Sequence, residues 1–569
     1  MNRLVIFALS ALACVICSCK GNTEEQATLP SPHLEKRGEA TQLIVEGKPF
    51  LALACELKNS SSTSREYMKP IWPKLKEAGL NTVIGSVSWE QIEPQEGVYD
   101  FKPLDELIED ARAHDLKLVL IWFASWKNGI TSFTPTWVKK DSERFQMALT
   151  PDGKKLPILS TLCTESRDAD ARAYAAVLRH IREIDAKEQT VVMMQIENEV
   201  GLHGHTRDYH PAAVSAFQSE VPASLIEYLK ENKNGLLPEM KAAWESQGYR
   251  TSGSWEQVFG KGDYTDELFM AWNYASYIEA VAAAGKEEYP IPTFVNAWIV
   301  QPEDHHPGNY PSGGPQAQNH DVWRAAAPHV DILSPDIYLP DYPAISRLYA
   351  RCGNPVFIPE SKAGQIGAAN ATFTIGEMNG IGYSPFGLDA AIDNKDNEWL
   401  YKFYKVAGSM SDKILEAQAD GRISGVWLKG SSPFFVKDSR DMGDYKICFE
   451  LISSGMRNGG APQLTGGSYN PDAVGYAVAI DEGDGRFTFL GSNVRITFLP
   501  SSGDSVIGLA KVTEGYYENG VWEEMRWLNG DEIQLRYDLL SAVEEGFSGQ
   551  GINFGTQEPG IVKVELFNY

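Results

Sequence analysis

Thr190-Val-Val-Met-Met-Gln-Ile-Glu-Asn-Glu-Val-Gly201 is the stretch on which the reading of this chain turns. Its first half is an uncharged run of β-branched residues and methionine, the pattern of a short strand buried on both faces. Its second half sets two carboxylates either side of an amide, Glu197-Asn198-Glu199. Ionisable groups at the end of a core strand are costly unless they are paired or used. A second apolar run, residues 355–358, also leads into an acid, Glu360. Two carboxyl groups delivered by two strand ends are what acid/base work on a glycosidic bond requires.

Working outward from that strand, the sequence predicts eight short strands, at residues 50–57, 82–87, 117–122, 190–196, 292–298, 332–337, 355–358 and 380–383. Amphipathic runs at 64–78, 104–114 and 171–184 have apolar positions at helical spacing. The long connection after the fourth strand adds helices near 213–232 and 265–284, and a last one spans 398–419. Alternating β and α elements predict an α/β fold, a (β/α)8 TIM barrel over 39–420. A doubly wound sheet is disfavoured because no glycine-rich phosphate loop follows the first strand.

Beyond residue 421 the texture changes. Turn signals such as Glu482-Gly-Asp-Gly485, Asn519-Gly520 and Asn529-Gly530 separate alternating apolar and polar runs, which predict a C-terminal β-sandwich over 421–569. Trp427, Trp522 and Trp527 there suit either a sugar-binding platform or sandwich core.

A length of 569 residues fits two domains better than one core. The net charge of −25 argues against nucleic acid and anionic membrane surfaces as partners. Arg3 followed by the apolar run 4–16 reads as a targeting signal. Ile16-Cys17-Ser18-Cys19 resembles a bacterial lipobox with Cys19 as the lipidated residue. That gives a signal at 1–19, a polar tether at 20–38, and membrane contact only through the lipid, at the bacterial cell envelope. Cys55, Cys163, Cys352 and Cys448 are too widely spaced to suggest a disulfide framework or a zinc site.

In a barrel, chemistry sits at the C-terminal ends of the strands. Those ends supply Glu56, then Trp89 and Glu90, Trp122 and Trp126, Asn198 and Glu199, and Asn296 with Trp298. The last three supply Asp336 with Tyr338, Glu360, and Tyr383 with Phe386. Flat aromatics among polar groups are the lining of a sugar pocket. His203, His205 and His210 lie nearby without a matching carboxylate cluster, so neither a metal nor a cofactor is expected.

The fourth-strand motif, Gln195-Ile-Glu-Asn-Glu-Val-Gly201, closely resembles the acid/base motif of glycoside hydrolase family 35, β-galactosidases of a large retaining clan. Trp89-Glu-Gln-Ile-Glu-Pro-Gln-Glu-Gly-Val-Tyr-Asp-Phe101 is similar to that family's second-strand segment, and Glu360 falls on strand seven, where the clan keeps its nucleophile. Residues 310–315 and 381–387, with the C-terminal β-domain, look like a bacterial lipoprotein subgroup. Residues 122–128 depart from the family's Pro-rich, Glu-containing segment, which helps hold the sugar.

Strand alternation turns Glu197 and Glu199 the same way, so geometry does not choose between them. The resemblance does, since only Glu199 follows Asn198. It implies Glu199 as general acid/base, Glu360 as nucleophile, and Tyr338 as a donor keeping Glu360 anionic. Asn198 is expected to bond the sugar 2-hydroxyl, and Trp89, Glu90, Trp126, Trp298 and Tyr383 to line the pocket. The expected activity is retaining release of terminal β-D-galactosyl residues from a carbohydrate. The alternatives are another sugar in the same clan (a β-glucoside, β-mannoside or α-L-arabinopyranoside) and a catalytically silent glycan-binding lipoprotein.

Overall fold

Strand one of the barrel is Ala52–Glu56, strand two Thr82–Ser88, strand three Lys117–Lys127 and strand four Val191–Asn198 in the computed structural model. Strands five and six are Thr293–Trp298 and Ile332–Ile337, and strand eight is Gly382–Tyr383. Strand seven comes in two pieces, Phe357–Ile358 and Glu360–Ser361. The first piece pairs with strand eight and the second with strand six, so the ring closes through strand seven. The break is at Pro359, which has no N–H to give to a ladder. All neighbours around the ring are parallel. The structure describes residues 29–430, 436–452, 472–535, 547–555 and 558–569, so the expected signal and Cys19 lie outside the described residues.

The lower half of the barrel is filled by Ala52, Ala54, Ile84, Ile121, Phe294, Ile332, Phe357 and Ile381. Leu43 and Val45, from a three-stranded sheet at 33–50, close it from below. Side chains alternate along a strand, so positions two residues beyond this layer point into the lumen above it. Those positions are Glu56 after Ala54, and Asn296 after Phe294. Asp336, four residues after Ile332, is the next of the same series. An apolar plug below and a polar ring above therefore follow from one periodicity.

Two long helices, Thr164–Asp185 and Asp263–Glu288, pack on each other outside strands three and four. The C-terminal strands form a six-stranded and a four-stranded sheet. Between them lies an apolar core that includes Ile447, Phe449, Phe487, Phe489, Ile496 and Val564. The outer face of the six-stranded sheet packs on the barrel helices Gly364–Gly376 and Glu398–Ser409, where Tyr476 meets Phe403 edge-on at 5.9 Å. Trp427 belongs to this contact, its indole N–H donating to Asn370 Oδ1 at 2.9 Å. Trp522 packs on Tyr517, and Trp527 is 62% exposed with Lys511 over its ring. The three tryptophans thus make no common platform. Among the described residues no helix is long and apolar enough to cross a membrane.

Candidate active site

Glu199 ends strand four just past its last paired residue, and its fate differs from that of Glu197. Both have left-handed backbones, φ 59° at Glu197 and φ 46° at Glu199. Such residues break the two-residue alternation, which corrects the expectation that the two carboxylates face the same way. Glu197 turns out of the lumen. Its oxygens accept the N–H groups of Ser125 at 3.0 Å and Trp126 at 2.7 Å, and its carboxyl bonds to that of Asp170. Burial, then the Asp170 charge, push it well above the usual carboxylate range, so this pair holds a proton between its members.

The Glu197–Asp170 pair has a structural task. From Trp122 to Lys127 strand three advances five positions while strand four advances two, Ile196 to Asn198. The surplus backbone forms a bulge, and Glu197 satisfies two of its N–H groups. Asp170 takes the Trp122 indole at 2.8 Å and the Ser125 hydroxyl at 2.6 Å. The bulge delivers Lys127 to the lumen, where its ammonium donates to Asn198 Oδ1 at 2.7 Å.

Glu199 turns inward. Asn296 Oδ1 accepts its backbone N–H at 2.9 Å and the Gln195 amide at 3.0 Å. Asn296 Nδ2 donates to Asp336 Oδ2 at 2.7 Å. Glu199, Asp336 and Glu360 can each offer an oxygen within 4.8 Å of the others. Glu360 accepts the Tyr338 hydroxyl at 2.5 Å. Glu199 and Glu360 are 7% and 8% exposed, and Glu56 lies fully buried nearby, both of its oxygens without a partner among the described residues.

Four carboxyl groups thus share one lumen with one ammonium. Two full charges 4 Å apart repel by about 4 kcal/mol at an effective dielectric constant of about 20, so the four cannot all ionise. Burial, then the Glu360 charge, push Glu199 up to about 7, against the pull of Lys127 and a hydrogen bond from Asp336. Burial raises Glu360 too, but Tyr338 and Lys127 oppose it. Asp336 and Glu56 stand well above the usual range, through burial first and the neighbouring carboxylates next. Glu199, Asp336 and Glu360 thus form a carboxylate cluster that the sequence reading did not anticipate, with a spacing that would also admit a cation. His203, His205 and His210 do not converge on them: His203 meets Trp298 edge-on and His210 caps the helix Pro211–Gln218.

The other expected pocket residues divide sharply. Asn198 is buried beside Lys127, and its Nδ2 donor has no partner among the described residues. Tyr338 and Trp298 stand at the mouth, 39% and 37% exposed. Trp89 is corrected to the core behind strand two: it packs edge-on against Trp137 at 5.7 Å, and its indole is held by Glu93. Trp126 is corrected to the layer under the bulge, against Tyr274 and Tyr277. Tyr383 is buried outside the lumen, its hydroxyl donating to Lys362 O at 2.6 Å. Glu90 is not in the cluster; its half-exposed carboxylate pairs with Lys139 at 2.8 Å. Apolar bodies at barrel-strand ends are as useful to packing as to a sugar, and here packing took three of the four.

Gly201 closes the motif for a steric reason. Its φ is 142°, and a Cβ there would come within 2.5 Å of Pro311. That approach lets Leu202 and Ser312 pair, which fixes residues 310–316 over the end of strand four.

Comparison with known proteins adds three findings. The family described as Beta-galactosidase, glycoside hydrolase family 42, matches residues 59–260, which include Glu199 but not Glu360. A domain of unknown function, DUF5597, matches residues 400–539. The sequence motifs resemble family 35 and the matching family is 42; both carry the name β-galactosidase. Among curated relatives, a beta-galactosidase of Arthrobacter sp is 26% identical over 239 residues, 39% of this chain and 31% of its own. Beta-galactosidase Bga of Halorubrum lacusprofundi is 26% identical over 195 residues, 34% of this chain and 24% of its own. The chain therefore spans about a third or less of these relatives' length. Among solved structures, a beta-galactosidase from Bacillus circulans sp. alkalophilus aligns at TM-score 0.44 and 15% identity, covering 64% of this chain and 57% of that one. A beta-amylase catalytic domain from Paenibacillus polymyxa aligns at TM-score 0.42 and 13% identity, covering 59% and 92%.

Proposed function

We propose that this chain is a retaining glycoside hydrolase that releases terminal β-D-galactosyl residues by double displacement. The observation that carries the reading is the carboxyl pair: oxygens of Glu199 and Glu360 within 4.8 Å, one pushed up to about 7, the other held by Tyr338 and Lys127. Retaining glycosidases keep their two carboxyl groups about 5–5.5 Å apart, whereas inverting ones need room for a water between them. The galactosyl preference rests on the similarity of residues 59–260 to β-galactosidases.

In the first step Glu360 attacks the anomeric carbon while the bond to the leaving oxygen breaks, and Glu199 gives that oxygen its proton. In the second, ionised Glu199 takes a proton from water as the water attacks the same carbon and Glu360 departs. We assign the 2-hydroxyl to Asn198 Nδ2, a buried donor without a partner among the described residues, in a bond that would strengthen as charge develops on the ring. Trp298 offers an exposed face at the mouth.

A panel of chromogenic glycosides tests this. The β-galactoside is expected to be hydrolysed fastest, and Glu360→Gln to lower that turnover by a factor on the order of 10⁴ or more while leaving the fold intact. Full activity of Glu360→Gln would end the assignment, and a faster β-glucoside or β-mannoside would reassign the sugar. The envelope location is a separate proposal, resting on Ile16-Cys17-Ser18-Cys19. Cys19→Ser is expected to lose the membrane-bound fraction, and unchanged fractionation refutes it.

A further inference from the structure

We propose that Asp336 is the positioning residue of this reaction: a carboxylic acid that stays neutral and donates its O–H to the carboxyl of Glu199. The proposal rests on the glycosidase reading above, and names a part of the site that the reading does not need.

Asn296 on strand five bridges the Glu199 backbone, at the end of strand four, and the Asp336 side chain on strand six. Its Oδ1 accepts the Glu199 N–H, and its Nδ2 donates to Asp336 Oδ2. With Oδ2 taken, Asp336 has Oδ1 left, and that oxygen finds no donor among the described residues. What faces Asp336 is carboxyl: Glu199 from strand four, Glu360 from strand seven and Glu56 from strand one. Lys127 from strand three bonds Asn198, Tyr338 bonds Glu360, and the buried Tyr349 hydroxyl, which feels the Asp336 charge, makes no hydrogen bond among the described residues, so neither cation nor phenol serves Asp336. No donor among the described residues serves Asp336 Oδ1, so a proton on one of the two carboxyl groups is what lets them face each other without repulsion. Asp336 is the more buried of the pair, 3% exposed against 7% for Glu199. The neutral form therefore belongs to Asp336, as its direction of shift also indicates.

The consequence is kinetic. When Glu199 has delivered its proton to the leaving oxygen, it becomes an anion facing Glu360 and Glu56. The Asp336 O–H is then a donor already aimed at the new charge, and no water has to enter to supply one. In the second step the water proton goes to Glu199, and the Asp336 proton stays where it was.

The test compares pH profiles of kcat/KM on an unactivated alkyl β-galactoside, whose leaving group needs the Glu199 proton, for the parent, Asp336→Asn and Asp336→Ala. The basic limb reports loss of the Glu199 proton. Asparagine is isosteric with the neutral acid: its oxygen can accept from Asn296 and its NH₂ can donate to Glu199. The Asn variant is therefore expected to keep the limb within about 0.3 pH unit of the parent. The Ala variant loses the donor and is expected to move the limb upward. If Asp336 is instead an anion, Asn removes a repelling charge, and the limb falls by about a unit or more; that result overturns the proposal, as does a limb unchanged in both variants. Infrared difference spectra at neutral pH give an answer independent of turnover. Parent minus Asp336→Asn should show the C=O stretch of a protonated carboxyl, and a carboxylate band in its place refutes the neutral acid. Failure to hydrolyse any glycoside would strike the reading of the site, and the infrared result would still decide Asp336.

Discussion

The Tyr338 hydroxyl, from strand six, donates to Glu360 Oε1, from strand seven, at 2.5 Å, and it is the only neutral donor the carboxylate has among the described hydrogen bonds. This bond and Lys127 are what oppose the burial of Glu360. In the proposed reaction Glu360 must be ionised to attack, so its donor would control how far down in pH turnover extends.

Tyr338→Phe removes that donor. A hydrogen bond to a charged group is worth about 1.5–3 kcal/mol, so kcat/KM is expected to fall by about 10–100-fold. With the charged form less favoured, the Glu360 pKa rises and the acid limb of the profile moves toward neutral pH. An unmoved acid limb would argue that Tyr338 does not serve Glu360.

Glu199→Ala separates acid from base. General acid assistance contributes typically 10²–10⁴-fold, and it matters most for a poor leaving group. Activity on an unactivated β-galactoside should fall by about that factor, while cleavage of a dinitrophenyl glycoside, followed as the initial burst, stays within about 10-fold. Equal losses on both would remove Glu199 from the role. In the parent, activity should decline as pH rises through about 7, where Glu199 loses its proton.

Glu56 predicts a stability effect. Its folded pKa is raised well above the ordinary value by burial, then by the Glu360 charge. A carboxyl raised in the folded state is ionised in the unfolded chain first, so its penalty grows as pH rises from the unfolded pKa toward the folded one. The expected growth is about 1.4 kcal/mol per pH unit across that window. Glu56→Gln should thus leave Tm nearly unchanged near pH 4 and raise it near pH 8, read by thermal melts. A Tm difference independent of pH would mean that Glu56 is ionised in the native protein.

Glu197→Ala should be the most damaging of these changes to the fold. It strands the Ser125 and Trp126 N–H groups and leaves Asp170 buried without its proton partner. Each buried N–H left without its acceptor costs about 1–3 kcal/mol, measurable as a lower urea midpoint. Glu197→Gln, which keeps an acceptor and a donor toward Asp170, should lose less. Equal stability of Glu197→Ala and the parent would refute the role of the pair in holding the bulge.

The barrel was legible because its signal is periodic. Strands such as Val191–Asn198 open with apolar runs of the kind a parallel barrel buries, and the ends of those strands name the carboxylates. Backbone departures were not legible. Nothing in Trp122-Phe-Ala-Ser-Trp-Lys127 says that surplus residues will bulge, yet the bulge sends Lys127 inward and Trp126 outward. Left-handed backbones at Glu197 and Glu199 are equally invisible to a two-residue pattern. Aromatics misled for another reason. Trp89 and Tyr383 sit next to strand ends in sequence, but a ring at that position can tilt behind the barrel wall, and hydrophobicity does not say which way.

The helix Gly364–Gly376, which directly follows the strand carrying Glu360, has eleven of its 13 residues buried. A surface helix of a free-standing barrel needs one wet face, and this one has none to spare. Its outer side is dry only because Tyr476, Val478 and Trp427 of the C-terminal sheet lie against it. A chain cut at residue 420 would expose that side next to the strand bearing Glu360. The barrel is thus not a module that can be lifted out whole, and the β-rich C-terminal part acts as part of the wall of the barrel it adjoins.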